Sequence, residues 1–318
     1  MSSGSAPAEG TPEPGHGGTR AVLAALGANL GIAATKFIAF GLTGSSSMLA
    51  ESIHSVADSG NQVLLIVGGA RSRREPTGRH PFGYGRVRYL YAFIVSIVLF
   101  SVGGLFALYE GLHKLEHPEP IVAWKWVPVV VLLVAIGLES FSLRTAIQET
   151  NLVRGGASWW RFIRHARAPE LPVVLLEDTA ALSGLVFALL GVGLTLLTGD
   201  GAYDAIGSLA IGVLLVLVAA VLAVETTSLL IGESATEDQA AAIQVALVDG
   251  TVLQRVIHLR TVHLGPEELL VAAKVGVPAT LSAQQVASAI DAAEVRVRTA
   301  VPIANLIYVE PDIYRDGD

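Results

Sequence analysis

The 318-residue chain contains no cysteine, so structural disulfides, thiolate metal sites and a cysteine nucleophile are all excluded. Charge is also scarce. Asp, Glu, Lys and Arg together make up 15% of the residues, against about 25% in an ordinary soluble domain. Lysine is nearly absent, with four against 17 arginines. The net charge is −7 and the isoelectric point near 5.6, so the chain has no basic footprint for a phosphate backbone and nucleic acid is excluded as a partner. What is present is apolar: hydrophobic residues reach 52% and mean hydropathy is +0.57, which places the chain in a lipid bilayer. The preference for Arg over Lys, with abundant Ala, Gly and Val, is that of a GC-rich bacterial genome, so the expected location is a bacterial plasma (inner) membrane.

Residues 1–19 are rich in Ser, Gly, Pro, Ala and Glu and are expected to form a disordered tail rather than a signal peptide, since a basic start and a short apolar core are both missing. Six apolar stretches follow, at about 21–42, 46–70, 88–112, 121–146, 171–197 and 204–231, each close to the ~20 residues that cross a bilayer as helix. They predict a membrane all-α bundle of six spans over 20–231. The loop after the second span carries Arg71, Arg73, Arg74, Arg79, Arg86 and Arg88, and the loop after the fourth carries Arg154, Arg161, Arg164 and Arg167. The alternate loops hold only Lys114 and Lys125. By the distribution of cations, a multi-pass chain with both termini in the cytoplasm is expected.

From 232 to 318 the pattern turns soluble. A helix is predicted from Thr236 to Val248, strands at about 255–263 and 268–277, a helix from Ser282 to Arg298 and a strand from Asn305 to Glu310. The order α-β-β-α-β implies a two-layer cytoplasmic α+β domain. Its uncovered sheet edge or face is suited to pairing with a second copy, so a homodimer is expected.

The ionisable residues inside the apolar stretches carry the chemistry, because a charge there is costly to keep. In the second span Glu51, His54 and Asp58 share a helical face with Ser47, Asn61 and Gln62. His54 and Asp58 stand one turn apart and can point at one cation; imidazole nitrogen with carboxylate oxygen suits Zn²⁺ and neighbouring first-row metals. A purely structural polar stripe that joins helices is the alternative. His54 lies about 14 Å by helical rise from the outer end of its span, near mid-bilayer, where alternating-access transporters hold substrate. The fifth span adds the adjacent acids Glu177 and Asp178. Neighbours on a helix diverge by about 100°, so only one of them is expected to point fully at the same site.

The six spans, the α+β domain, the stretch Leu49-Ala-Glu-Ser-Ile-His-Ser-Val-Ala-Asp-Ser-Gly-Asn and the loop His80-Pro-Phe-Gly-Tyr-Gly-Arg together resemble the cation diffusion facilitator family of metal transporters. The run Leu-Leu-Glu-Asp-Thr-Ala-Ala resembles the branch with the mitochondrial zinc-transporter relatives. The resemblance implies a tetrahedral transport site with two ligands from the second span, His54 and Asp58, and two from the fifth. There Asp178 matches one ligand, while Val174 stands where the other should be, and Glu177 either supplies the missing ligand or hydrogen-bonds the shell from just outside it. In a second family site, Thr77 occupies the position of an Asp and only His80 remains, which reads as structural. His258 and His263 lie five apart on a strand, hence on opposite faces, and do not share an ion.

The expected function is a proton-coupled antiporter that exports a divalent metal, Zn²⁺, from the cytoplasm, with the metal and protons as substrates, the bilayer as environment and no cofactor. A transporter selective for Mn²⁺, Fe²⁺, Co²⁺ or Cd²⁺, or a non-transporting metal sensor or scaffold, are the alternatives. The chain lacks a P-loop and the HExxH motif, which argues against ATP-driven transport and against a membrane metallohydrolase, so no enzyme activity is expected.

Overall fold

The computed structural model of the chain describes residues 16–43, 46–117 and 126–313, without the side chains of 16–18, 40, 42–43, 46–54 and 57. The tail expected over 1–19 lies outside the described residues as far as residue 15, and α1 begins at His16. The expected start of the fourth span at 121 also lies outside them. The described chain divides into two compact units.

The first unit takes in the chain up to Ile66, Ser96–Ala166 and Glu170–Ala220. It holds α1 (His16–Thr43), α4 (Phe106–Glu116), α5 (Trp126–Arg154) and α7 (Glu170–Thr198), with the greater part of α2 (Ser46–Ser72) and of α8 (Ala202–Ile231). The third span is continuous from α3 (Val87–Val98) through a π-helical segment at Leu99–Leu105 into α4, which makes 30 residues. At 1.5 Å per residue this is about 45 Å, longer than the ~30 Å hydrocarbon core. Five of the described helical stretches are apolar and long enough to cross a membrane. The other long helix, α2, has 27 residues and carries the polar face described above. Large apolar side chains point outward along these helices, as with Leu197 at 85% and Leu217 at 60% exposure, which suits lipid as the neighbour.

Helix α1 packs against α5 and α7, and α5 against α7. The third span meets α8 along a seam of small residues. A methyl group added at Gly104 would lie 2.7 Å from Val216 Cγ2, one at Gly111 would lie 2.8 Å from Leu209 Cγ, and one at Gly212 would lie 2.7 Å from Leu108 Cγ. Lipid tails are as apolar as leucine, so close backbone approach rather than exclusion from water joins such helices. The short helix α6 (Trp159–His165) was not predicted from the sequence; the Ser158 hydroxyl caps it by accepting from Arg161 N at 3.3 Å.

The second unit comprises Val67–Val95, Arg167–Pro169 and Val221–Asp318. Strands β1 (Arg255–Gly265), β2 (Glu268–Val277) and β3 (Leu306–Ile313) form a sheet in that order, with β1 and β2 antiparallel and β2 and β3 parallel. Helices α9 (Glu237–Leu247) and α10 (Ala283–Ala300) both open with capping boxes, Thr236 with Gln239 and Ser282 with Gln285, which satisfy the free amides of the first turn. Their apolar faces bury Ile243, Leu247, Ala293 and Val297 with Val271 and Val275 of β2. The predicted α-β-β-α-β order is present, with β1 running two residues further and β3 three.

His263 on β1 is fully buried. Its Nδ1 lies 3.3 Å from Gly265 O, and Arg167, which pairs with Glu233, is close enough to act on it electrostatically. Burial and the Arg167 charge push the imidazole down to about 4, from an ordinary value near 6.5. The folded unit therefore holds His263 neutral where the unfolded chain would protonate it. The stability this contributes is complete above about pH 6.5 and is lost as pH falls from there toward 4, by at most about 3 kcal/mol. Hydrogen-exchange protection of the β1 amides in the intact protein should fall over that window, and the fall should disappear in His263→Phe.

Candidate metal centre

The backbone of α2 is helical through Ser46–Ser72, so the predicted polar residues do share a face. The side chains of Glu51 and His54, and with them the His54 ligand assignment, lie outside the described residues. One turn further on, Asp58 lines a cavity of about 170 Å³ inside the first unit, together with Lys36 of α1, Glu139 of α5 and both Glu177 and Asp178 of α7. This is room for several waters or a hydrated ion.

The two acids of α7 are held by different neighbours. Ser142 Oγ donates to Asp178 Oδ2 at 2.6 Å. Asn61 Nδ2 donates to Glu177 Oε1 at 2.8 Å and Gln62 Nε2 to Glu177 Oε2 at 2.9 Å, while Gln62 accepts in turn from Asn29 Nδ2 at 3.4 Å. Lys36 Nζ donates to Ser55 Oγ at 3.0 Å. Both adjacent acids of α7 thus line the cavity, each turned to a different wall. The 100° between them directs Glu177 toward the amides of α2 and Asp178 toward the serine of α5, because the cavity is bounded by both helices. Among the described residues no three His, Asp or Glu side chains converge closely enough to hold one ion; the acids line one cavity, and the two of α7 are engaged by protein donors.

Lys36 and Glu139 also line the cavity; a lone intramembrane charge is equally consistent with local pairing or snorkelling, so neither marks a site by sequence alone. The signal that could have found Glu139 is its spacing: Ser142, which holds Asp178, lies three residues later on the same helical face. Val174 is buried and offers no donor. At the far end of the cavity Glu110 and Lys114 of α4 contribute, and Lys114 Nζ lies 3.1 Å from both Glu110 and Asp204 of α8. In the second unit, Thr77 and His80 exchange backbone hydrogen bonds at 3.0 and 3.1 Å and the His80 ring packs on Tyr84 at 4.8 Å, so His80 shapes its turn.

Five carboxylates, Asp58, Glu110, Glu139, Glu177 and Asp178, line the cavity with two ammoniums, Lys36 and Lys114. In a medium of low dielectric such a set requires further positive charge, as protons or as a metal cation. Ser142→Ala removes the hydrogen bond to a buried carboxylate and is expected to lower the stability of the detergent-solubilised protein by about 1–3 kcal/mol, measured by thermal unfolding. Ser142→Thr, which keeps the hydroxyl, should recover most of the loss.

Residues 22–231 match the family model of the cation efflux transmembrane domain. The human mitochondrial protein named proton-coupled zinc antiporter SLC30A9 is 34% identical over 232 residues, 72% of this chain and 41% of its own length. The Arabidopsis thaliana metal tolerance protein C4 is 30% identical over 249 residues, 78% of this chain and 54% of its own. The Escherichia coli zinc transporter ZitB is 29% identical over 146 residues, 45% of this chain and 46% of its own. The chain spans about two fifths of the length of the human relative. These matches overturn the expectation of a bacterial plasma membrane: those that extend over 72% and 78% of the chain are to a mitochondrial protein and a plant protein. The expectation rested on composition and loop charge, and loop charge orients a chain in a bilayer without selecting which bilayer it enters. With a family model covering its helical part and long apolar helices to match, the chain is a multi-pass membrane protein that belongs to the cation efflux, or cation diffusion facilitator, family.

Proposed function

We propose that this chain is a secondary transporter that carries a divalent metal ion, Zn²⁺, out of the compartment bordered by the arginine-rich loops, in exchange for protons. The observation that carries the proposal is one cavity onto which five helices bring five carboxylates and two lysines. Imidazole and carboxylates must shed protons to take a metal, so competition at one site couples the two fluxes without a nucleotide. On this reading His54, Asp58 and Asp178 coordinate the ion directly. Glu177 either supplies the fourth ligand or, held by Asn61 and Gln62, orients the others. The choice of Zn²⁺ rests on the mixed nitrogen and oxygen donors, and relatives carry names that specify zinc. The engagement of both Glu177 oxygens by amides favours a second reading, a metal sensor that does not transport.

Zinc flux into proteoliposomes under a pH gradient separates the two. Wild-type protein should move zinc against the proton flow. His54→Ala, Asp58→Asn and Asp178→Asn should each fall to background while eluting as folded protein, because losing one ligand leaves the ion under-coordinated. Glu177→Gln should lose less than Asp178→Asn if Glu177 only orients the shell, and as much if it is a ligand. Zinc binding with no flux in the wild type would establish the sensor, and full flux in Asp178→Asn would remove α7 from the site.

We also propose that two copies associate. Among the described strands, β1 and β3 each have one unpaired edge, which a symmetric partner can cover. Light scattering in detergent, corrected for bound detergent, should give twice the 33.2 kDa of one chain; a single-chain mass would count against it.

A further inference from the structure

The end of α4 carries Tyr109, His113 and His117 at successive intervals of four residues, all exposed. Tyr109 and His113 stack with centroids 6.3 Å apart and planes within 6°, and the His113 and His117 rings lie 5.1 Å apart at 40°. His117 N donates to His113 O at 3.0 Å, so the helical spacing of the two imidazoles persists into the cap. Exposure leaves both rings free to turn, and the stack with Tyr109 limits the freedom His113 must give up to bind an ion. Two imidazoles on adjacent turns can each direct one ring nitrogen at a common point, with the ~2.0–2.1 Å bonds that Zn²⁺ and its neighbours form. The unsatisfied carbonyls at a helix C-terminus add partial negative charge where that ion would sit.

We propose that His113 and His117 form a second metal site, on the surface, for a late first-row divalent cation whose coordination water completes. Imidazole is the donor such ions prefer over Ca²⁺ and Mg²⁺, which take oxygen. The pair is separate from the buried acids. It belongs to the same two turns as Glu110 and Lys114, which line the far end of the cavity, so an ion held there lies beside the region through which cargo would pass. The site itself does not rest on the transport reading.

The test is binding rather than flux. The full chain carrying Asp58→Asn and Asp178→Asn, to remove ligands from the cavity, is titrated in detergent with Zn²⁺ by calorimetry and with Cu²⁺ by pulsed electron paramagnetic resonance. One equivalent per chain is expected, with Cu²⁺ showing coupling to two imidazole nitrogens. Adding His113→Ala or His117→Ala should weaken it by at least about tenfold, the lower end of what lesser changes around a metal cost, and both together should abolish the two-nitrogen signal. An equivalent that survives the double change at the same affinity, or no two-nitrogen signal before it, would overturn the site. Because both rings are exposed, these variants should fold as the parent does, which circular dichroism checks. Neither outcome depends on whether the cavity transports zinc.

Discussion

The cost of holding charge away from water governs this protein. Asp58, Glu139, Glu177 and Asp178 share one cavity with Lys36, and the helices around it are otherwise apolar. Nothing in a bilayer interior solvates such a group, so every carboxylate must find donors or cations within the protein. The cavity's inner wall answers that demand with side chains of low charge: Ser142 for Asp178, and Asn61 and Gln62 for Glu177. These neutral donors hold the acids without cancelling their charge, which leaves the attraction for a cation intact.

The packing of the helices serves the same end. Glycines at 104, 111 and 212 let the third span and α8 approach along one seam, while α5 stands against both α1 and α7. Asp178 and Ser142 meet across the α5–α7 contact, so a serine is available on the helix that an acid on its neighbour faces. At the other end of the cavity, Lys114 bridges Glu110 and Asp204 and so joins α4 to α8. This ion pair is partly exposed and tolerates separation better than the buried bonds do, because water can replace either partner. The polar contacts therefore grade from fixed in the middle of the helices to exchangeable at their ends.

The second unit solves a related problem in a different solvent. Its sheet and two capped helices bury an ordinary apolar core. His263 is buried beside the Arg167–Glu233 pair, and there the answer is to keep the imidazole neutral instead of pairing it. The family's loop histidine position, His80, is used for a turn. Among the described residues histidine thus serves as a structural turn residue at 80, a neutral core residue at 263 and an exposed pair at 113 and 117.

Apolar run lengths, the polar face of the second span and the α-β-β-α-β pattern were legible in the sequence because they depend on periodicity and on transfer from water, both local properties. The acid pair at 177 and 178 was legible as an expensive feature, since its cost does not depend on which neighbour it meets. Where each acid points was not. Helical geometry states that adjacent side chains diverge by about 100°, and only the placement of α7 between α2 and α5 turned that divergence into two contacts on one cavity. The inclusion of Lys36 and Glu139 was likewise decided by tertiary packing, because a lone intramembrane charge gives no sign of which face its helix turns inward. The short helix α6 and the reach of β3 escaped the sequence reading because ends and caps depend on a few hydrogen bonds, not on a repeated pattern. The sequence alone determined that this chain keeps costly acids within apolar helices; the tertiary structure decided which helices share them, because charges from separate segments meet only through packing.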